Sequence, residues 1–382
     1  MNNFKNLSIA IVTHVYATGP SFKLEEYLRN KVENLVFIGH PFSFAKDTRS
    51  FIRVYRKGDL VIEKKFIKMK RSEFLFYAKD FLLTIYWCLK YSKNTQYFFG
   101  VNNFNSFSGY ILKKFGKVQD VIFYTIDYVP NRFDSKIMNY IYHWLDRFVI
   151  SKSLKVWNLS SQMADEREKR GVNTKFRSKQ IVVPIGTEIN APPMEFNKID
   201  KNKIVFMGHL REGQGVEMLV SSMKDVIRKI PEAHLLIIGG GPLENKIRLK
   251  INKLRLEKSI KLSGFVEKFS EVRYLLKNAA VAVAPYVDDE KTYTRYTDPG
   301  KPKDYLSCGL PVIITKVPQF AFVIDEKRCG IAISYDQNEL SEAIIKLSSN
   351  KNLLKEYRTN AFELAKKYTW EKIFNKAFQN TL

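Results

Sequence analysis

The sequence predicts an α/β protein made of two doubly wound, parallel-sheet domains, and three observations carry that prediction. Short apolar runs rich in Val, Ile and Phe recur with helix-like stretches between them. The recurrence restarts after a loop-like passage over 186–202 that contains Pro192 and Pro193. The length, 382 residues, suits two domains at roughly 150 residues each.

Each run is of strand length. In the first half they lie at 7–12, 35–39, 97–100, 121–126, 156–159 and 181–183, and in the second at 204–207, 235–238, 260–262, 281–284 and 312–315. Strands alternating with helices imply parallel pairing, because a parallel pair needs a long crossover. No solenoid-type repeat is visible. The expected division is a first domain over 1–185, a linker over 186–202, a second domain over 203–366 and a terminal helix over 367–382. In that helix Trp370, Ile373, Phe374 and Phe378 share one face, which covers either its own domain or the first one. Ligands of such sheets bind beyond the carboxyl ends of the strands, so two facing sheets leave one cleft.

Composition narrows the classes. With 45% hydrophobic and 14% aromatic residues, 18 Gly and 13 Pro, the chain is neither collagen-like, low-complexity nor disordered. Cys88, Cys308 and Cys329 are too scattered for a disulfide framework or a zinc motif, which fits a reducing compartment. The start, Met1, Asn2 and Asn3 leading into an apolar run at 7–12, lacks a signal-peptide cleavage flank, so a cytoplasmic location is expected. The most apolar window, 74–87, is interrupted by Lys79 and Asp80 and is too short to span a bilayer.

The formal charge is +24, from 63 Lys and Arg against 39 Asp and Glu. Residues 1–185 hold 31 basic and 15 acidic groups, so +16 of that excess lies in the first half. There Arg53, Arg56, Lys57, Lys64, Lys65, Lys68, Lys70 and Arg71 precede a helix-like segment. In it Phe74, Phe76, Tyr77, Phe81, Tyr86 and Trp87 interleave with Lys79 and Lys90. Basic plus aromatic residues suit an anionic membrane surface at the inner face of the plasma membrane; the alternative is a solvated rim beside a core helix. No zinc-finger, RNA-recognition or basic-zipper pattern accompanies the charge, so no specific nucleic-acid partner is expected.

Chemistry concentrates in the second half. The run at 204–207 is followed by Gly208, His209, Leu210, Arg211, Glu212, Gly213, Gln214 and Gly215. A glycine-rich turn between strand and helix presents N–H groups to an anion at the helix's positive end, or simply makes a tight turn. Arg211 adds a donor fork for phosphate. Gly239, Gly240, Gly241 and Pro242 form a second strand-to-helix turn. The most specific segment, 293–312, places Lys301 near a helix start and Asp304 one turn on. Lys301 suits a phosphate and Asp304 the ribose hydroxyls of a sugar nucleotide; the alternative is a surface ion pair.

The order of these elements resembles the nucleotide-binding domain of GT-B glycosyltransferases, especially the group 1, family 4-like enzymes. Gly208 to Gly215, Gly239 to Pro242, Gly264 to Val266 and Asp304 to Val312 follow that family's order. The resemblance implies two Rossmann-like domains facing across a cleft, with the closing helix, after Tyr368 and Thr369, crossing back to the first domain. It implies that Gly208, Arg211 and Gly240 face the donor diphosphate, and that Phe265 and Val266 flank the nucleobase. By the same resemblance Lys301 contacts phosphate and Asp304 binds ribose. There are departures: Gln214 replaces the family's common lysine, His209 its usual arginine, and the first of its paired glutamates falls near Tyr296.

The first half resembles the family in architecture alone. The loop after its first strand, Thr13 to Ser21 with His14 and Gly19, and the residues after 121–126, Asp127, Tyr128 and Arg132, are expected on the acceptor side. A carboxylate at a strand's carboxyl end suits a general base, so Asp127 is the expected base, shaped by Tyr128 and Arg132, with His14 second. The alternative for Asp127 is a helix cap or hinge contact. Many retaining relatives in that family carry a histidine just before such an acid, so by the same resemblance Ile126 at that position implies inversion.

The resulting expectation is transfer of a sugar from a nucleoside diphosphate donor, UDP-linked by the resemblance, to a hydroxyl of a lipid-linked or surface-polysaccharide acceptor. No cofactor or metal is expected: Asp288, Asp289 and Glu290 lack a ligand spacing. The alternatives are a sugar-nucleotide epimerase and a non-catalytic nucleotide-sugar or membrane-binding module.

Overall fold

The computed structural model describes the whole chain except residues 1–3, 16–18, 67, 69–72 and 290–292, and the side chains of Glu73 and Phe74. Met1, Asn2, Asn3, Tyr16, Ala17, Thr18, Lys70, Arg71 and Glu290 therefore lie outside the described residues. Contacts divide the chain into one unit of Met1–Pro184 with Ile373–Leu382 and another of Ile185–Lys372.

The first unit contains β1 (Ser8–Val15), α1 (Pro20–Leu28), β2 (Asn34–Pro41), β3 (Phe51–Arg56), β4 (Asp59–Lys65), α2 (Glu73–Tyr91) and β5 (Thr95–Val101). It continues with α3 (Asn103–Lys114), β6 (Val118–Thr125), α4 (Lys136–Lys152), β7 (Lys155–Asn158), α5 (Ser161–Lys169) and β8 (Gln180–Val182). The sheet order is β4-β3-β2-β1-β5-β6-β7-β8. β1 and β2, and β1 with β5 through β8, pair in parallel. Every run expected in this half is a strand.

The edge is a correction. Five of the cations in the basic run, Arg53, Arg56, Lys57, Lys64 and Lys65, belong to the antiparallel hairpin β3–β4. Its turn is Lys57 and Gly58, with φ of 49° and 97°, the left-handed pair that matches hairpin twist. Arg53 bonds Glu25 at 2.6 Å and Lys64 bonds Tyr91 at 3.2 Å, so these cations serve the sheet edge. Of the aromatic residues named with them, Phe76 and Trp87 are core and Tyr86 is exposed, and Lys79 is buried.

The second unit contains β9 (Lys203–Met207), α6 (Val216–Lys229), β10 (His234–Ile238), α7 (Glu244–Lys253), β11 (Ile260–Leu262), α8 (Phe269–Lys277) and β12 (Val281–Ala284). After them come α9 (Gly300–Ser307), β13 (Val312–Thr315), α10 (Phe320–Glu326), β14 (Gly330–Ile333), α11 (Gln337–Ser349) and α12 (Lys351–Ala365). The all-parallel sheet runs β11-β10-β9-β12-β13-β14. Its central strands β10, β9, β12 and β13 are buried on both faces because helices cover each side. On α6, Val216, Leu219, Val220, Met223 and Val226 are buried, the i, i+3, i+4, i+7 pattern of a core-facing stripe.

The last helix, α13 (Trp370–Gln379), buries Ile373, Phe374, Ala377 and Phe378. Phe378 stacks on Tyr27 at 5.8 Å and meets Trp157 edge-on at 5.2 Å, while Trp157 Nε1 donates to Thr381 Oγ1 at 2.9 Å.

Candidate functional site

Strand order in the second unit reverses at β9, which has β10 on one side and β12 on the other. That is the topological switch point, where α/β sheets bind ligands beyond the strand ends. The turn that begins with Gly208 leaves β9 at this point. It is stitched to its neighbours by backbone bonds: Gly208 N–H donates to Ile238 at 2.9 Å, Leu210 to Gly240 at 3.0 Å, and Gly239 to Gly264 at 3.0 Å. The turns after β9, β10 and β11 thus form one surface holding Gly208, Gly240 and the segment of Phe265 and Val266. Gly215, at φ 66°, caps α6; a β-carbon there would lie 1.7 Å from the Pro285 carbonyl oxygen, so only glycine fits.

Lys301 enters the same turn from the start of α9. Its amine donates to Gln214 Oε1 and lies against Gly208, with the rings of Phe206 and Tyr286 5.4 and 5.3 Å away. Burial, and secondarily the charge of Arg211, push the Lys301 pKa down to about 7. Among the described residues no carboxylate pairs with this amine. A cation held in this way is short of negative charge, which an anion at the turn would supply. Gln214, which stands where the resemblance expects a lysine, is this partner: a lysine in its place would oppose Lys301 charge to charge.

Two further contacts fix α9. The Tyr305 hydroxyl accepts from Met207 N–H at 2.6 Å, tying the helix to the end of β9. Asp298 and Lys303, both buried, form an ion pair, and Asp298 also accepts from Ile185 N–H at 2.7 Å. Neither pairing is readable from spacing, since each depends on the folded loop. Asp304 accepts from Thr187 Oγ1 at 2.8 Å. Burial outweighs that bond and the nearby Arg273, raising its pKa to about 6. Arg211 is exposed, donates to the Tyr293 hydroxyl and has its guanidinium 4.9 Å from that ring. Phe265 is 80% exposed, an open aromatic face beside Gly240, whereas Val266 packs on the core.

In the first unit Asp127 follows β6 with its side chain 41% exposed. Its Oδ2 bonds Arg132 Nη1 at 3.0 Å, and that guanidinium sits 5.6 Å from the Tyr142 ring. Tyr128 is a correction to the expected acceptor face: it is 0% exposed, packed 4.9 Å from the buried Arg167 guanidinium. Arg167 in turn bonds Asp146 at 2.8 Å, so Tyr128 supports the loop from within.

His14 is the second correction. It lies in a buried cluster, Nε2 3.3 Å from Asp80 Oδ2 and Nδ1 3.1 Å from the Asn105 amide. Its ring is enclosed by Phe42 and Tyr77. His40 and Lys79 bring their nitrogens to Asp80 Oδ1 at 3.3 and 2.9 Å. Burial alone would raise the Asp80 carboxyl, but hydrogen bonds from His14 and His40 overcome it and hold it well below the usual range. This cluster joins β1, β2 and α2. Gly19 caps α1 with open space where a β-carbon would stand.

Comparison with known proteins agrees with this fold. Residues 201–350 match the family model described as glycosyl transferases group 1. An uncharacterized glycosyltransferase of Methanocaldococcus jannaschii is 29% identical over 178 residues, 46% of this chain and 47% of that protein, so the match spans about half of each. Among solved structures, sucrose-phosphate synthase from Thermosynechococcus elongatus superposes with a TM-score of 0.73 at 15% identity, covering 98% of both chains. Anabaena HepE in complex with UDP gives 0.68 at 12% identity, covering 98% of this chain and 99% of that one. Residues 201–350 are thus similar in sequence to the group 1 glycosyl transferases, and the chain has the GT-B fold.

Proposed function

We propose that this chain transfers a sugar from a nucleoside diphosphate sugar, UDP-linked, to a hydroxyl of a lipid-linked or growing surface-polysaccharide acceptor. The observation that carries the reading is the Lys301 amine, uncompensated by any carboxylate among the described residues and held at the Gly208 turn at the switch point. The UDP complex of HepE, a protein of the same fold, supports the choice of nucleotide.

In this reading the diphosphate lies at the Gly208 turn, where α6 opens with N–H groups that have no intrahelical acceptor. Lys301 and Arg211 meet the negative charge that grows on the leaving diphosphate as its bond to the sugar breaks. Asp304 accepts from the ribose and the Phe265 ring faces the base. Asp127, in the first unit, takes the proton of the attacking acceptor hydroxyl, and Arg132 orients its carboxylate. No metal or cofactor is assigned to the reaction. The protein acts in the cytoplasm, held peripherally on an anionic membrane.

The test is differential melting with UDP, GDP and ADP and their sugar forms, followed by assay of donor turnover. A rise in Tm specific to UDP and UDP-sugars, with transfer or slow donor hydrolysis, is the expected result. Binding without turnover would make the chain a non-catalytic module, and epimerised donor without acceptor would make it an epimerase.

A further inference from the structure

The outer faces of α2 and α4, which both pack on α3, carry apolar groups that the core does not use. On α4, Ile137 is 72% exposed and Tyr140 67%, and Ile141 and Trp144 are also open to solvent. Ile137, Ile141 and Trp144 are spaced i, i+4, i+7, so they form one stripe. On α2, Leu75, Leu82, Tyr86 and Leu89 are exposed at the same kind of spacing. The two stripes are joined by rings. Phe81 of α2 stacks on Phe107 of α3 at 6.2 Å, Phe107 meets Phe148 of α4 at 5.9 Å, and Phe148 stacks on Trp144 at 5.6 Å.

Lysines border this surface. Lys90 reaches the Tyr86 hydroxyl at 3.0 Å and Lys114 lies 5.8 Å from the Tyr110 ring. Near the end of α4, Lys179 donates to the Ser151 and Ser153 carbonyls at 3.2 and 2.9 Å. Its pKa is lowered first by burial and then by the like charges of Lys113, Lys152 and Lys155. Asp120 pairs with Lys113 at 2.7 Å. The half of the chain that carries this surface has a net charge of +16.

We infer that the α2–α3–α4 face is a docking surface for an anionic lipid bilayer, with Ile137, Ile141 and Trp144 inserted at the headgroup level and the flanking lysines on lipid phosphates. This names the surface for the membrane attachment proposed above and rests on that reading. Charge complementarity selects the occupant. Aliphatic and Trp/Tyr side chains bordered by lysines at the C-terminal ends of the helices suit an interface with apolar depth and negative headgroups. A second copy of this chain would bring a second lysine border against the first.

The experiment uses the full chain and vesicles of phosphatidylcholine, alone or mixed with phosphatidylglycerol. Co-sedimentation with the mixed vesicles, weakened by salt, and a blue shift of Trp emission that Trp144→Phe removes are expected. Ile141→Glu with Trp144→Glu should lower vesicle affinity at least tenfold, and Lys114→Ala or Lys152→Ala by about fivefold each. All four positions are at the surface, so Tm and the UDP-induced melting shift should stay as in the parent. Equal binding to neutral vesicles, or binding indifferent to these substitutions, overturns the inference. So does a parent that is dimeric in size-exclusion chromatography and becomes monomeric on Ile141→Glu with Trp144→Glu, since a second copy then covers the face. Lost vesicle binding with an intact UDP shift leaves the donor reading standing, and the converse leaves the docking surface standing.

Discussion

The amine of Lys301 rests against Gly208, so close that a β-carbon on residue 208 would lie 2.5 Å from Nζ. The first helical turn of α9 and the turn that leaves β9 therefore form a single structure, and a change on either side reaches the other. Gly208, at φ 156°, is required both by backbone angle and by this approach.

Gly208→Ala should accordingly displace the lysine. Lys301 has a flexible end, so the stability cost should stay at about 1–3 kcal/mol, the range for one strained backbone position. Affinity for UDP-glucose should fall at least tenfold. Thermal melting with and without ligand checks both parts.

The lowered pKa of Lys301 makes stability depend on pH. The folded value is about 7 and an unfolded lysine titrates near ~10.4. Between those values the unfolded chain holds a proton that the folded one lacks, so this group's contribution to stability rises with pH across the window. Below pH 7 the cost of the buried charge is fully present. Lys301→Met should therefore raise Tm most at pH 6, and the gain should shrink toward pH 10.

Asp304 behaves in the opposite sense. Its carboxyl titrates near 6 when folded, against 3.8 for the ordinary group, so its ionisation costs stability as pH rises through that window, and the cost persists above it. Asp304→Asn should leave Tm at pH 7 unchanged or higher. It should weaken UDP more than a deoxyribose analogue, by the ~1.5–3 kcal/mol typical of a hydrogen bond to a charged group.

Asp127→Asn should retain the fold and UDP binding, because the proposed nucleotide site lies in the other unit, yet lower transfer by the ~10²–10⁴-fold typical of a general base. Arg132→Lys should lower transfer less and shift its pH profile. Near-normal turnover by Asp127→Asn eliminates the base role.

Much of the fold is legible because doubly wound strands are apolar on both faces: runs such as 204–207 and 281–284 could be little else. The β3–β4 hairpin was obscured because Arg53, Arg56 and Lys57 read as a charge run, although Lys57 and Gly58 carry a hairpin turn signal. β14 is not legible because Gly330 to Ile333 offers only three consecutive apolar residues. Within the site, glycine turns and Lys301 were visible because backbone geometry and helix starts leave sequence marks. The partners Gln214 and Tyr305 were not, since each meets its contact only after folding. Tyr128 and His14 misled for the same reason: their surroundings, Arg167 and Asp80, lie far away in sequence.

The most direct measurement is calorimetric titration of UDP-glucose into the parent protein and Lys301→Met at pH 7. A loss of at least tenfold in affinity, with uridine binding unchanged, is the predicted result. Equal affinity in the two proteins would contradict the assignment of Lys301 and the Gly208 turn as the diphosphate site.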